Sequence, residues 1–368
     1  MDRLQLWKIA GVVLLACGLA SAQHITTFSA PGAGTGAGQG TGGFGINPQG
    51  TVVGSFVDDN NVFHGYQCVS GCGSPSTFTT FNAPGAGTAA NQGTITFSIN
   101  LFGATVGFYL DANTAAHGFL TAAPFHTFTT LTDPDGGEGA QQGTFAGNVN
   151  LTGEIAGYYV DANNVAHGFV TAPPYRTFTS FDPAGSVNTF VDIASGLSAE
   201  GAVSGYYQDA NGAFHGYVRT ANGNISVINI NGAGTGSGQG TFVSSISDLG
   251  ATTGNYIDSN GVNHGFVRGK GGATTTFDVK GAGTASGQGT VPEGIDLFGA
   301  VTGQYVDSNG VNHGFVRSRF GAITTFDAPG AGTGAFQGTL PNTPNLFGAI
   351  TGQYIDDNNL HFGFLRKP

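Results

Sequence analysis

Short runs of β-branched and aromatic residues, broken by Gly, Asn, Asp and Pro, follow one another along almost the whole chain. Residues 94–133 are representative. TITFSIN leads through Leu101-Phe102-Gly103 into ATVGFYLD, the turn ANT leads into AAHGFLT, and AAPFH precedes TFTTLTD. Brief half-buried runs bounded by turn residues predict strands rather than helices. Four such strands, then a long glycine-rich stretch, fill about fifty residues before the pattern starts again. His-Gly-aromatic marks the third strand at His64, His117, His167, His215, His264 and His313, at intervals of 53, 50, 48, 49 and 49 residues. A further 49 residues on, Phe362 takes the histidine slot and Gly363 and Phe364 are kept, which makes seven copies.

Seven four-stranded copies predict an all-β chain, a seven-bladed β-propeller of antiparallel blades, occupying residues 23–368 as one domain. The ends are offset in the way ring closure requires. HITTFSAPG near the start matches the outer-strand phrases TFTTFNAPG and AITTFDAPG, while the last copy stops after its third strand. The strand at about residues 25–30 should therefore complete the last blade and remove two exposed sheet edges. A solenoid would need capping units instead. In a propeller, the GAGTG-type loops and the Asp-x-Asn turns emerge on one face. The second strand carries a glycine at one fixed slot (Gly54, Gly107, Gly157, Gly205, Gly254, Gly303 and Gly352), which suggests close contact between neighbouring blades.

The repeated IN..G...G.Y.D.N...HGF pattern resembles the HAF-type extracellular repeat of exported bacterial proteins, from about residue 25 to 368. That resemblance implies an extracellular repeat protein and supplies no reaction. Phe362 departs from the pattern, and so does SFDPAGSVNTFVDIAS, which lacks the Gln-Gly-Thr of the other copies.

The chain opens with Arg3 and Lys8, an apolar run and Ala20-Ser21-Ala22, the anatomy of a signal peptide over residues 1–22. A retained anchor and lipid attachment at Cys17 are the alternatives. Beyond it no apolar run is long enough to span a bilayer. The mature chain should be secreted, at the cell surface or in the periplasm, and monomeric. Its acidic residues greatly outnumber its basic ones, and residues 23–175 contain no Lys or Arg, which argues against a nucleic-acid partner. Cys68 and Cys72 in QCVSGC are the two cysteines left after the leader, and export predicts a small-loop disulfide.

Candidate chemistry centres on the repeated phrase. Asp58, Asp111, Asp161, Asp209, Asp258, Asp307 and Asp356 each precede x-Asn, which suits hairpin turns, with calcium ligation as the sharper alternative. The histidines read as buried packing residues between blades, bonded to a backbone or hydroxyl group. Equivalent copies do not bring unlike groups around one reacting atom, and no Gly-x-Ser-x-Gly, His-Glu-x-x-His or phosphate loop is present. The copies diverge in LTDPDGGEGAQQGT, where Asp133, Asp135 and Glu138 are candidates to bind calcium or a polar ligand. No other cofactor is expected. The function this predicts is a non-enzymatic secreted propeller binding a glycan, surface polymer or protein across its loop face. The alternative is an extracellular glycan hydrolase or lyase with unique acids at the axis, and an envelope or matrix component is a third reading.

Overall fold

The computed structural model describes residues 24–193 and 195–368; the expected signal peptide and Cys17 lie outside the described residues. Among the described residues, regular structure consists of 28 strands and two short 3-10 turns, Ser70–Cys72 and Pro75–Thr77. After the strand His24–Phe28, the strands associate in antiparallel fours. Gly40–Ile46, Val52–Val57, Phe63–Cys68 and Phe78–Phe81 make the first unit. The same order recurs down to Gly338–Pro344, Ile350–Ile355 and His361–Lys367. His24–Phe28 supplies the strand that this last unit lacks, with Ile25 opposite Arg366 and Phe28 opposite Gly363. The last unit also touches the first: the Asn342 Nδ2 donates to the Gly43 carbonyl at 2.8 Å and the Asn345 Nδ2 to the Asn47 carbonyl at 2.9 Å.

The core lies between units and is largely aromatic. The residue two places after each marker histidine, from Tyr66 through Phe119, Phe169, Tyr217, Phe266 and Phe315 to Phe364, is fully buried. An outer-strand residue of the preceding unit packs onto it. Phe28 meets Tyr66 with centroids 6.3 Å apart, Phe81 meets Phe119 at 6.3 Å, and Phe277 meets Phe315 at 5.9 Å, all edge to face. Such pairs favour the edge-on geometry because the ring edge is positive and the face negative.

The close approach between units falls on a different glycine from the one expected. At Gly40, Gly143 and Gly240, the glycine of Gln-Gly-Thr, a single parallel bridge joins the third strand of the preceding unit. Gly240 has φ +126°, and a Cβ there would land on the Phe214 carbonyl. The second-strand glycines are tight within their own unit instead. A Cβ on Gly54 would strike the Gly42 carbonyl, and one on Gly157 the Phe145 carbonyl, both on the first strand. The cause is a bulge: the first strand slips register there, between Gly43 and Gly45 in the first unit, and swings its backbone toward the second strand.

Candidate functional site

Each Asp-x-Asn phrase closes a turn on its own backbone. The Asp307 Oδ1 accepts the Asn309 amide at 2.8 Å and the Val311 amide at 2.9 Å, and the same pair of bonds recurs at Asp58, Asp111, Asp161, Asp209, Asp258 and Asp356. The Asp258 carboxyl is held below its ordinary range, by the Val262 amide above all, with burial opposing and the Asn260 donors assisting.

The histidines need a correction. They are partly exposed and brace their own unit, where the sequence suggested burial between units with backbone or hydroxyl partners. The His313 ring stacks on Tyr305 at 4.9 Å, its Nδ1 lies 3.0 Å from the Asp327 Oδ1, and its Nε2 lies 3.7 Å from the Asp307 Oδ2. The stacking recurs at His64, His117, His167, His215 and His264. Phe362 keeps the stack, on Tyr354 at 5.1 Å, and gives up the polar bonds. The buried residue is the aromatic two places on, because the histidine lies at the loop end of the strand, where Asp and Asn can reach it.

The long loops and the turns share one face, as expected, and they bond to each other. The Gly34 amide donates to the Val57 carbonyl at 2.8 Å, and the Gly38 amide to the Asn359 carbonyl of the last unit at 2.8 Å. Gln39 joins all of this. Its Oε1 accepts the Gly36 amide, its Nε2 donates to the Asn61 Oδ1, and its carbonyl accepts the His361 amide. The next residue but one, Thr41, accepts the Ala30 amide at 2.9 Å. Gln-Gly-Thr is therefore a staple between consecutive units. The copy without it substitutes Asn188, whose Oδ1 accepts the Ala166 amide at 3.1 Å. Folding thus consumes most of the polar groups on the loop face.

Asp133, Asp135 and Glu138 do not converge. Asp133 turns inward to a buried position that Ala30, Ala83 and Val279 fill in other copies. Its Oδ1 accepts the Asp135 amide at 3.0 Å, and burial raises its pKa. Asp135 and Glu138 point to solvent. Among the described residues no group of three His, Cys, Asp or Glu side chains is placed to hold a metal ion. Cys68 and Cys72 are joined in a disulfide with Cα atoms 5.4 Å apart.

The copies differ most at the axis, a set that reading the sequence missed. The residue extruded by each first-strand bulge points inward, and here the chain has Phe44, Phe97, Gly147, Ser244, Glu293 and Asn342, with Asp192 following the shortened strand Ser186–Val191. The Phe44 and Phe97 rings lie 5.6 Å apart, so neighbouring slots touch. Ser195 reaches across, its Oγ donating to the Ser244 carbonyl at 3.1 Å and to the Glu293 carbonyl at 3.2 Å. Glu293 is partly accessible as a residue, but its carboxyl sits deep in protein. Burial, reinforced by the nearby Asp192 charge, pushes its pKa up to about 8, against the Gln304 amide 3.0 Å away.

Beyond this ring, toward the turns that join first and second strands, lies a cavity of about 180 Å³ lined by Phe44, Ser98, Asn148, Ser195, Ser245 and Thr343 among others. Asn148 is spent on structure, donating to the Asp192 carbonyl and accepting the Gly196 amide. The Thr343 hydroxyl has no hydrogen-bond partner and is enclosed by protein rather than open to the cavity. The signal for this site was available as a first-strand position at which Phe, Gly, Asp, Ser, Glu and Asn replace one another between copies.

No protein-family model matches the chain. No curated protein matches it either. Solved structures do. A lectin, BP39L from Burkholderia pseudomallei, superposes with TM-score 0.53 at 9% identity, covering 88% of this chain and 94% of the lectin. A puromycin hydrolase superposes with TM-score 0.51 at 10% identity over 90% of this chain, which spans 50% of the hydrolase. A fungal lectin described as a six-bladed β-propeller gives TM-score 0.41 at 11% identity, covering 83% of this chain and 94% of the lectin. The antiparallel fours of strands make this an all-β fold of the propeller kind, and at these identities the likeness to the first two structures extends no further than fold.

Proposed function

We propose that this chain is a seven-bladed propeller closed by its own first strand, exported, and built to bind an extracellular glycan or surface polymer at the axial cavity rather than to catalyse a reaction. Twenty-eight strands taken four at a time give seven blades, and the pairing of His24–Phe28 with His361–Lys367 supports closure. The disulfide and the resemblance to HAF-type repeats support export.

The observation that carries the binding reading is the axial cavity. Its volume suits one sugar ring or several waters. Phe44 offers an apolar wall, and Ser98, Ser195 and Ser245 bring hydroxyl-bearing side chains to the lining. Apolar lining with a few convergent polar groups is what small-ligand sites share. That a lectin shares the fold over nearly its whole length supports the reading by analogy. A glycan array followed by calorimetry on the mature chain tests it. Phe44→Ser, which removes the apolar wall, should weaken the captured glycan about tenfold, the equivalent of about 1.4 kcal/mol. Absence of any captured glycan, or unchanged affinity in the variant, would refute the reading.

One observation favours the second reading, an extracellular glycan hydrolase or lyase. Asp192 and Glu293 are unlike acids in equivalent axial slots, and one of them has a raised pKa. That reading requires release of new sugar ends from a polysaccharide and loss of the release in Glu293→Gln.

A further inference from the structure

The face opposite the loops has a different chemistry. There the first-to-second-strand turns hydrogen-bond one to the next: the Asn100 Nδ2 to the Asn150 carbonyl, the Asn150 Nδ2 to the Ser198 carbonyl, and the Ala199 amide to the Asp248 Oδ1. Their tips point outward and are apolar. Phe102 is 77% exposed, Phe298 59% and Phe347 68%, with Leu249 beside them at 63%. Phe320, on a third-to-fourth-strand turn of the same face, is 83% exposed with the Arg319 guanidinium 4.5 Å over its ring. One exposed phenylalanine, Phe336, lies on the loop face, but the others gather on this rim and exceed the scattered apolar residues of an ordinary surface.

Charge is divided between the two faces. Every basic residue of the described chain except Lys280 lies at the end of a third strand or in the turn after it, on the phenylalanine face. Arg176, Lys270, Arg319 and Lys367 are exposed there. Of the 22 acidic residues, Asp2 lies outside the described residues, and Asp192 and Glu293 are axial. Glu154, Glu200, Asp248 and Asp296 neighbour the bases, and the remaining fifteen belong to the loop face. The chain also enters the domain on the basic side: His24 pairs with Lys367 at the bottom of the last unit.

We propose that the phenylalanine face docks on an anionic lipid surface, the tips of Phe102, Phe298 and Phe347 entering the headgroup boundary and Lys270, Arg319 and Lys367 pairing with lipid phosphates. Apolar tips ringed by bases suit that interface, and the acidic loop face is turned away by the same field. Docking rests on the rim and does not depend on the cavity binding a glycan.

The test is cosedimentation of the mature chain with vesicles of phosphatidylcholine alone or mixed with phosphatidylglycerol. The chain should pellet only with the mixed vesicles, and less as salt rises. Combined Phe102→Ser, Phe298→Ser and Phe347→Ser should reduce binding at least tenfold, as should combined Lys270→Glu, Arg319→Glu and Lys367→Glu. Lys280→Glu, on the other face, should leave it unchanged. All these side chains are exposed, so circular dichroism and thermal melts should match the parent. No pelleting, or pelleting that survives the serine variant, overturns the proposal. So does concentration-dependent pairing without lipid that the serine variant abolishes, since the rim would then be a self-contact. Glycan affinity measured on the same variants should not change, so failure of docking and failure of the cavity reading are separable.

Discussion

Glu293→Gln isolates the energetics of the axis. The substitution keeps the shape of the side chain and the acceptor that the Gln304 Nε2 uses at 3.0 Å, and it removes the ionisation. It also supplies a donor near the Gln304 Oε1, which is buried without a partner. The Glu293 pKa rises from 4.5 to about 8 on folding, so the folded state holds a proton that the unfolded chain has released. Its destabilising effect is therefore absent below the ordinary Glu range, grows as pH rises above 4.5, and is complete above 8. At about 1.4 kcal/mol for each pH unit, the full effect is about 5 kcal/mol, reduced to about 3 where water in the axial void relaxes the charge. Urea unfolding of both proteins across that pH range measures it, because the histidines and other carboxyls common to both cancel in the difference. The variant should match the parent in acid and gain stability steadily toward pH 8. A flat difference would show that Glu293 ionises as an exposed carboxyl does, and the axial site would then be an open water column.

Three further outcomes follow from the packing. Gly240→Ala places a Cβ on the Phe214 carbonyl at φ +126° and should cost more than about 3 kcal/mol, whereas Gly38→Ala, at φ +80° in open space, should cost about 1, both by denaturant melts. Asp307→Ala frees two amides and should cost about 1–2 kcal/mol, while Asp307→Asn keeps the accepting oxygen and should cost less than half of that. Although burial pushes the Asp307 pKa up, the Val311 and Asn309 amides bring it below 3.8 overall, so its contribution is present at neutral pH and disappears as pH falls through that lowered value. Phe28→Ala removes a buried ring packed on Tyr66 and Phe78 and should cost about 3–5 kcal/mol in thermal melts; an unchanged melting temperature would refute closure by the first strand.

Strand number, unit order and the pairing of the first strand with the last were legible in the sequence because they are properties of a repeat. Seven aspartates followed by x-Asn specify turn geometry through short-range bonds, so local reasoning was enough for them. The histidine environment was misread because strand alternation gives the face of a residue but not its height along the strand. His313 and Phe315 share a face, yet only Phe315 lies deep enough to be buried by the preceding unit. The glycine error has a related cause. A bulge is a shift of register between two strands, which no single strand's residues encode, and it moved the tight contact of Gly54 from the neighbouring unit to its own.

The axial residues and the phenylalanine tips were hidden for opposite reasons. At the bulge slot two phenylalanines, Phe44 and Phe97, two acids, Asp192 and Glu293, and Gly147, Ser244 and Asn342 follow no common chemistry, so the position looks like tolerated variation until strand pairing brings these residues toward one axis. The tips recur as Asn-Leu-Phe-Gly or Asp-Leu-Phe-Gly, and in sequence that phrase looks like another hairpin turn, because its Asn or Asp does bond the amides two and four residues on. A turn needs that Asn or Asp and the final glycine, and it makes no demand for leucine and phenylalanine at the tip. The Asp-x-Asn turns on the other face close with the same bonds and have polar tips. Two kinds of turn with one folding role and opposite surface chemistry point to a difference in partners, and the exposed apolar rim is therefore better sought at an interface than in the stability of the fold.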